Sequence, residues 1–329
     1  MHRVVASLLT LVVSLFFFVL PAAGEPQTRE PSHGRLLVSD SGVFAFDPIT
    51  LELRWRQLLD QQTFEPAVIG GRVLVTGSRG LYAFDSESGD LIWQRPSRQV
   101  GFPAVSVGKT AYLTDRGGLL QAIDSHDGEL LWQRRFPGWV YPPAQAGGLL
   151  FTGGSDGRLW AIDRESGDVR WAYPLGQEMV YSPVALPDGR IIATTFNREV
   201  IALDSSGNLL WRQNYSAILT TPMVLDGQLI FNGLDGQLRA VDAKDGKILW
   251  RRQLPEPLAV GLEHQQGMLL AALDSGRVWV LASDSGELRQ AYRLPGEPVA
   301  RPRFMDGEIL SFVRAFGGPK AILLTRNNH

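Results

Sequence analysis

Apolar and polar positions along this chain fall into short runs, and one arrangement of them keeps returning. Residues 157–171 read GRLWAIDRESGDVRW: an alternation from Leu159 to Asp163, a polar turn, and a second alternation closed by Trp171. The phrase recurs as GLYAFDSESGDLIW at 80–93, GLLQAIDSHDGELLW at 118–132, EVIALDSSGNLLW at 199–211 and GQLRAVDAKDGKILW at 236–250. A weaker copy, GVFAFDPITLELRW, occupies 42–55, and an eroded one, GRVWVLASDSGELRQ, occupies 276–290. The closing tryptophans, Trp55, Trp93, Trp132, Trp171, Trp211 and Trp250, are 38 to 40 residues apart. A chemical site is rarely needed six times, whereas a packing unit must be repeated, so the period marks a repeat architecture.

Upstream of each phrase lies another apolar run, such as RVLVTG, LLFTGG or QLIFNG, and ahead of that a short segment such as EPAVIG or TPMVLD. Runs of about four to seven residues, separated by turns of Gly, Asp, Ser or Asn, predict four strands per period. Four strands in about 40 residues make one propeller blade. The fold class is therefore all-β, a single β-propeller of four-stranded blades. Full units begin near 64, 101, 141, 181, 220 and 259. Residues 34–56 lack a clear first strand and 299–325 a clear fourth, which gives eight blades, with seven left open if one end unit is only an addition.

Within the phrase, Leu159 and Ala161 face one side of a strand and Trp160 and Ile162 the other. Both sides are apolar, as they must be when neighbouring blades cover both faces. A small residue recurs at Ala45, Ala83, Ala122, Ala161, Ala202 and Ala240, leaving a gap that a neighbouring tryptophan is expected to fill. Asp163 to Gly167 form the hairpin, the carboxylate accepting turn N–H bonds and the glycine taking positive φ. One aspartate per turn supplies too few oxygens for a calcium loop.

The front of the chain is of another kind. His2 and Arg3 precede an uncharged apolar run from Val4 to Leu20 and a Pro-Ala-Ala-Gly exit, which predicts a signal peptide over 1–24 and export. A lead-in at 25–33, the propeller at 34–325 and a tail at 326–329 complete the division. No cysteine occurs, which removes thiol nucleophiles, cysteine metal sites and a lipid-modified cysteine. The mature part is long enough to bury a core without disulfides. Thirty-two basic residues are mixed among thirty-four acidic ones, a balance that does not gather nucleic acid or anionic lipid.

The Gly, Ala-hydrophobic-Asp, Gly and Trp positions of this period resemble the quinoprotein-type, or PQQ-like, propeller repeat over nearly all of 34–325. Among exported proteins of this length the chain is similar to the outer-membrane assembly factors of the BamB type, from which it departs in lacking a lipobox cysteine. The resemblance implies a Gram-negative periplasm and a noncatalytic scaffold for outer-membrane protein assembly. It implies an envelope protein, such as a barrel-assembly component, as partner; membrane contact would run through that partner or an uncleaved signal. No cofactor is expected. Small-ligand binding or sensing is the alternative role.

Quinone-dependent dehydrogenases share the repeat, but they are longer and carry a cysteine pair and a calcium-bound quinone, which the resemblance does not extend to here. Trp160 and Trp279, in third-strand positions shared with Tyr82, are read as interblade packing. His2, His33, His126, His264 and His329 are scattered; His264, beside Glu263, departs from its repeat neighbours but lacks a third ligand. No GxSxG elbow, phosphate loop or HExxH helix is present.

Function is then sought where the repeat is broken. The loops leading into the first strands share one face and carry large groups, among them Phe64, Phe102, Trp139, Tyr141, Met179, Tyr181 and Ile218. Trp139 is not required by the repeat. Polar departures there are Glu65, Glu178, Glu256 and Arg301, the last a large cation where other units have Ser182 or Thr221. Phe102, Trp139, Tyr141, Tyr181 and Arg301 are the candidate partner-binding residues.

Overall fold

The computed structural model describes residues 36–324 apart from 40–41, 48, 60, 98–100, 306–307 and 316–317. The expected signal peptide, the lead-in and the tail lie outside the described residues. Thirty strands and no helix occur among those residues, and they form eight antiparallel sheets. In chain order we number them sheet 1 (36–58), sheet 2 (67–96), sheet 3 (105–135), sheet 4 (144–174), sheet 5 (184–214), sheet 6 (223–253), sheet 7 (263–293) and sheet 8 (298–324). Sheets 2 to 7 have four strands in sequence order, the meander of a propeller blade. Sheets 1 and 8 have three, as the missing first and fourth runs predict.

The molecule divides into two compact units: sheets 1 to 6 fall within 19–253, and sheets 7 and 8 within the other, which includes 254–329. Sheets of the first unit are joined by the tryptophans. The indole Nε1 of Trp132 donates to the Arg164 carbonyl of the next sheet at 3.1 Å. Trp55, Trp93, Trp171 and Trp211 repeat this with the carbonyls of Ser86, Ser125, Ser205 and Ala243 at 3.0–3.2 Å. The ring lies on the turn glycine of that next sheet: a Cβ placed on Gly167 would stand 2.6 Å from the Trp132 ring.

This accounts for the repeated phrase and corrects one expectation. The gap that receives the tryptophan is left by the turn glycine, not by the conserved-looking alanine. Gly167 has φ of 74°, so the turn needs glycine for its backbone and the neighbouring ring needs it for space. Asp163 holds the same turn by accepting from the N–H groups of Glu165 at 3.0 Å and Ser166 at 2.9 Å. Ala161 is wholly buried in the ladder opposite Trp171, followed by a bulge before Ile162 that twists the outer strand. The equivalent bulge recurs in sheets 1 to 7.

Second and third strands are buried on both faces and supply the core. Phe151, Leu159, Ala161, Ile191 and Ile201 form one cluster running through sheets 4 and 5, and Leu229, Phe231 and Val241 continue a second in sheet 6. Trp160 packs as expected, its ring 5.4 Å from Phe136 and its Nε1 bonded to Asp156 at 2.8 Å. The same third-strand position in sheet 6 holds an unexpected residue, Arg239. It is 2% exposed and its guanidinium is gripped by Asp235 and by Ser216 Oγ at 3.1 Å.

Candidate functional site

The connections into the first strands are pinned at both ends, and this fixes what each loop residue can do. At the start, a buried side chain anchors the loop while its N–H bonds the turn of its own sheet: Phe136 to the Gly118 carbonyl at 2.8 Å, Leu175 to Gly157 at 2.9 Å and Tyr215 to Arg198 at 3.0 Å. At the end, Val140, Met179 and Leu219 are buried. Just before each of them, a loop carbonyl accepts an N–H from the turn between second and third strands: Trp139 from Ser155 at 3.2 Å, Glu178 from Phe196 at 3.2 Å and Ile218 from Leu234 at 2.9 Å. Gln62 makes the matching bond with Ser78 at 3.2 Å, and Pro257 does so with Asp274 at 3.1 Å in the other unit.

Gln62, Trp139, Glu178 and Ile218 thus occupy one structural position with four unlike side chains. The backbone does the structural part, so the side chain is released from it. Sequence reasoning named Trp139, Glu178 and Ile218 as breaks in the repeat but did not see that they are equivalent, and it passed over Gln62. The spacing from the anchor, FPGWV beside YSAIL, carries that signal.

Phe102, Tyr141 and Tyr181 lie deeper. The N–H groups of Phe64, Phe102, Tyr141, Val180 and Thr220 all bond to the ends of second strands, at Thr76, Thr114, Gly153, Thr194 and Asn232, at 2.9–3.2 Å. Phe102 and Tyr141 are neighbours, with ring centroids 5.5 Å apart. Phe102 is 2% exposed and Tyr181 7%, so these two rings are interior and do not form an exposed docking face. Trp139 and Tyr141 are half-buried. Arg301 belongs to the other unit, half-buried in the strand Pro298–Met305, where the ladder skips from Ala300 to Arg303. The structure therefore brings Phe102 and Tyr141 together, leaves Trp139 half-buried beside loop positions whose side chains differ, and places Arg301 at a ladder irregularity.

The polar chemistry here is one of neutral donors. Burial pushes the Tyr181 hydroxyl up to about 12, and burial pushes Tyr141 higher still, with Tyr181 and Glu178 adding to it. Neither phenol can serve as a base near neutral pH. The Tyr181 hydroxyl, the Trp139 indole N–H and the hydroxyls of Thr76, Thr114 and Thr194 are buried without a hydrogen-bond partner. Glu256, by contrast, is spoken for: it accepts from Ser275 Oγ at 2.6 Å and pairs with Arg277 at 2.7 Å, and these contacts hold its carboxyl below the usual range. His264 Nε2 is buried without a partner, and no group of three or more metal-ligating side chains gathers among the described residues.

One cavity went unforeseen. About 320 Å³ opens between sheets 2 and 3, lined by Thr76, Arg95, Phe102, Asp115, Gln121 and Arg135. It arises from two blades meeting, so no single stretch of sequence announces it.

Comparison with known proteins agrees with the repeat. A family model described as outer membrane protein assembly factor BamB matches residues 28–100, 95–182 and 177–308. A protein of that description from Bordetella pertussis is 28% identical over 120 residues, which is 35% of this chain and 29% of the relative. One from Nitrosomonas eutropha is 30% identical over 99 residues, 28% of this chain and 24% of the relative. The match thus spans less than a third of either relative. The crystal structure of BamB from Moraxella catarrhalis superposes with a TM-score of 0.70 at 17% identity, covering 89% of this chain and 92% of that one. The computationally designed Ika8 protein does so at 0.74 and 12% identity, covering 88% and 93%. At such identities the two structures speak for the fold alone.

Proposed function

We propose, for a chain that belongs to the family of the outer membrane protein assembly factor BamB, a noncatalytic role as a periplasmic scaffold that docks an envelope protein through the loop position held by Gln62, Trp139, Glu178 and Ile218. The observation that carries it is the uncoupling at that position, where backbone bonds are constant and side chains are not. A surface freed from folding duties can be shaped by a partner. The neutral, buried phenols nearby offer hydrogen bonds but no general base, in keeping with a binding role.

Export by residues 1–24 places the protein where such a partner would be met. A barrel-assembly component is the partner that the family suggests. The test is in-cell photocrosslinking from position 139, with position 165 in a structural turn as control. An envelope protein captured at 139 and not at 165 supports the reading; recovery of the protein alone from both positions overturns it.

The cavity between sheets 2 and 3 favours a second reading, a small-ligand or sensor propeller, since its volume is at the lower end of small-molecule sites. A small molecule that protects the Arg95 and Arg135 side chains from guanidine-directed labelling, in a protein that captures nothing at 139, would support it.

A further inference from the structure

The repeat closes its seams with a plug of large side chains, and one seam departs from it at both of the plug's positions. Four residues after the closing tryptophan, a large residue anchors the loop and faces the middle of the next sheet's third strand. Leu59 and Tyr82 pack against one core cluster between sheets 1 and 2. The Phe136 and Trp160 rings stand 5.4 Å apart between sheets 3 and 4, and Leu175 and Ile201 share a cluster between sheets 4 and 5. Between sheets 2 and 3 the same two positions hold Ser97 and Gln121. The backbone there is unchanged, since the Ser97 N–H bonds to the Arg79 carbonyl at 2.9 Å as that of Phe136 does to Gly118 at 2.8 Å. Ser97 is exposed where Phe136 and Leu175 are buried, and the cavity of about 320 Å³ opens at this seam. Protein interiors are close-packed, so a void made by two coincident polar replacements is a built feature of the seam.

The charged groups around the cavity also differ from their counterparts. Arg134, two residues after its tryptophan, bonds the Gly167 carbonyl and pairs with Asp168 at 3.0 Å. Arg95, at the same place beside the cavity, bonds the Gly128 carbonyl at 2.6 Å and pairs with no carboxylate among the described residues. Arg135 gives one N–H to the Gly117 carbonyl at 2.7 Å and likewise has no carboxylate partner among them. A guanidinium carries five N–H donors in a planar fork, so both arginines keep donors for a further acceptor. Among the described residues of the wall, Asp115 is the one acidic side chain, and one of its oxygens accepts from the N–H groups of Gly117 at 2.8 Å and Leu119 at 2.9 Å. Leu81, Phe102 and Leu113 give the wall an apolar part.

We propose that the cavity between sheets 2 and 3 binds a small organic acid, its carboxylate held by Arg95 and Arg135 and its apolar body set against Leu81, Phe102 and Leu113. A carboxylate presents the two coplanar acceptors that the arginine fork fits. Two guanidiniums and one aspartate leave a single positive charge, which matches a monoanion, and Asp115 opposes the second charge of a phosphate. The volume is at the lower end of small-molecule sites, so the acid is a small one. The inference rests on the small-ligand reading of this cavity and adds to it the chemistry of the ligand.

The test is isothermal titration calorimetry of the whole mature protein with 3-phenylpropionate, its neutral amide and inorganic phosphate. Saturable binding of the acid at one site per chain is expected, with the amide weaker by about tenfold or more and phosphate not saturating. Arg135→Gln, at an exposed position, should weaken the acid by about tenfold or more and leave the amide unchanged. Arg95→Gln should do the same and keep the seam bond, because Gln57 holds the equivalent Gly89 carbonyl of the preceding seam at 2.9 Å. Ser97→Phe with Gln121→Trp rebuilds the pair found at the following seam and should abolish binding of the acid, with a thermal midpoint that stays level or rises. No saturable binding of the acid, equal binding of the amide, phosphate bound in its place, or undiminished binding by the rebuilt seam overturns the proposal. If the acid does not bind while another small molecule protects Arg95 and Arg135 from guanidine-directed labelling, the carboxylate inference fails and the small-ligand reading stands; if nothing protects them, that reading fails as well.

Discussion

The seams between sheets 1 to 6 and the loop position at the entry to the first strands are cut from the same repeat, yet they obey it differently. Every seam sets a tryptophan on the turn glycine of the next sheet and bonds its indole to a turn carbonyl. The loop position keeps its backbone bond in every case and changes its side chain in every case, from Gln62 to Trp139 to Glu178 to Ile218. What repeats down to the atom is what holds the blades together. Side-chain identity is free only where the backbone already closes the structure, and that is where a partner can be chosen.

The contrast breaks first at the seams. Trp211 is 8% exposed and bonded to Ala243 at 3.0 Å, so Trp211→Ala should cost about 3–5 kcal/mol in urea unfolding. Next comes the buried arginine of sheet 6. Asp235→Ala leaves Arg239 without its carboxylate and should cost about 2–3 kcal/mol, reduced from the fully buried case because Asp235 is partly exposed. Arg239→Met removes the charge along with its need for a partner and should cost less than half of that. Gly246→Ala meets the Trp211 ring at 2.9 Å and a φ of 77°, for about 1–2 kcal/mol. Tyr181→Phe deletes a buried hydroxyl that has no partner and should change stability by less than about 0.5 kcal/mol in either direction. A loss above that would show that the hydroxyl is bonded after all.

The turns add a pH dependence of known sign. Asp163 is held below the ordinary carboxylate range first by Arg170 and then by backbone N–H groups, and Asp235 is lowered first by Arg239. A folded-state pKa below the unfolded value near 4 favours folding wherever the carboxylate is ionised. Their contribution is therefore complete above about pH 5 and lost as the pH falls below about 4 through the folded values. Thermal midpoints measured from pH 7 to pH 2.5 should fall at the acid end, and Asp163→Asn should flatten part of that fall.

The fold was legible because its signals are local and repeated. Strand runs, the turn from Asp163 to Gly167 and the closing tryptophans each lie within one period, and six copies leave little room for another reading. The tryptophan's receptor was less legible: it is the turn glycine of the following sheet, whereas the expectation fell on the recurring alanine, the small residue visible within one period. Phe102 and Tyr181 were misplaced outward for a related reason, since a large residue at a loop-to-strand boundary has the same sequence appearance whether its ring turns in or out. Arg239 was missed because the third-strand position holds Tyr82, Gln121 and Trp160 elsewhere, and a cation there reads as a solvated exception until Asp235 is seen gripping it.

The claim that the loop position serves recognition while the repeat serves folding is tested most directly by the affinity of Trp139→Ala for the envelope protein captured at that position, with its thermal midpoint recorded alongside. Truncating a central aromatic anchor commonly costs about 2 kcal/mol or more, roughly thirtyfold in affinity. The account predicts that loss, with a midpoint within about 3 °C of the unmodified protein. Unchanged affinity, or a midpoint that falls as far as it does in Trp211→Ala, would contradict it.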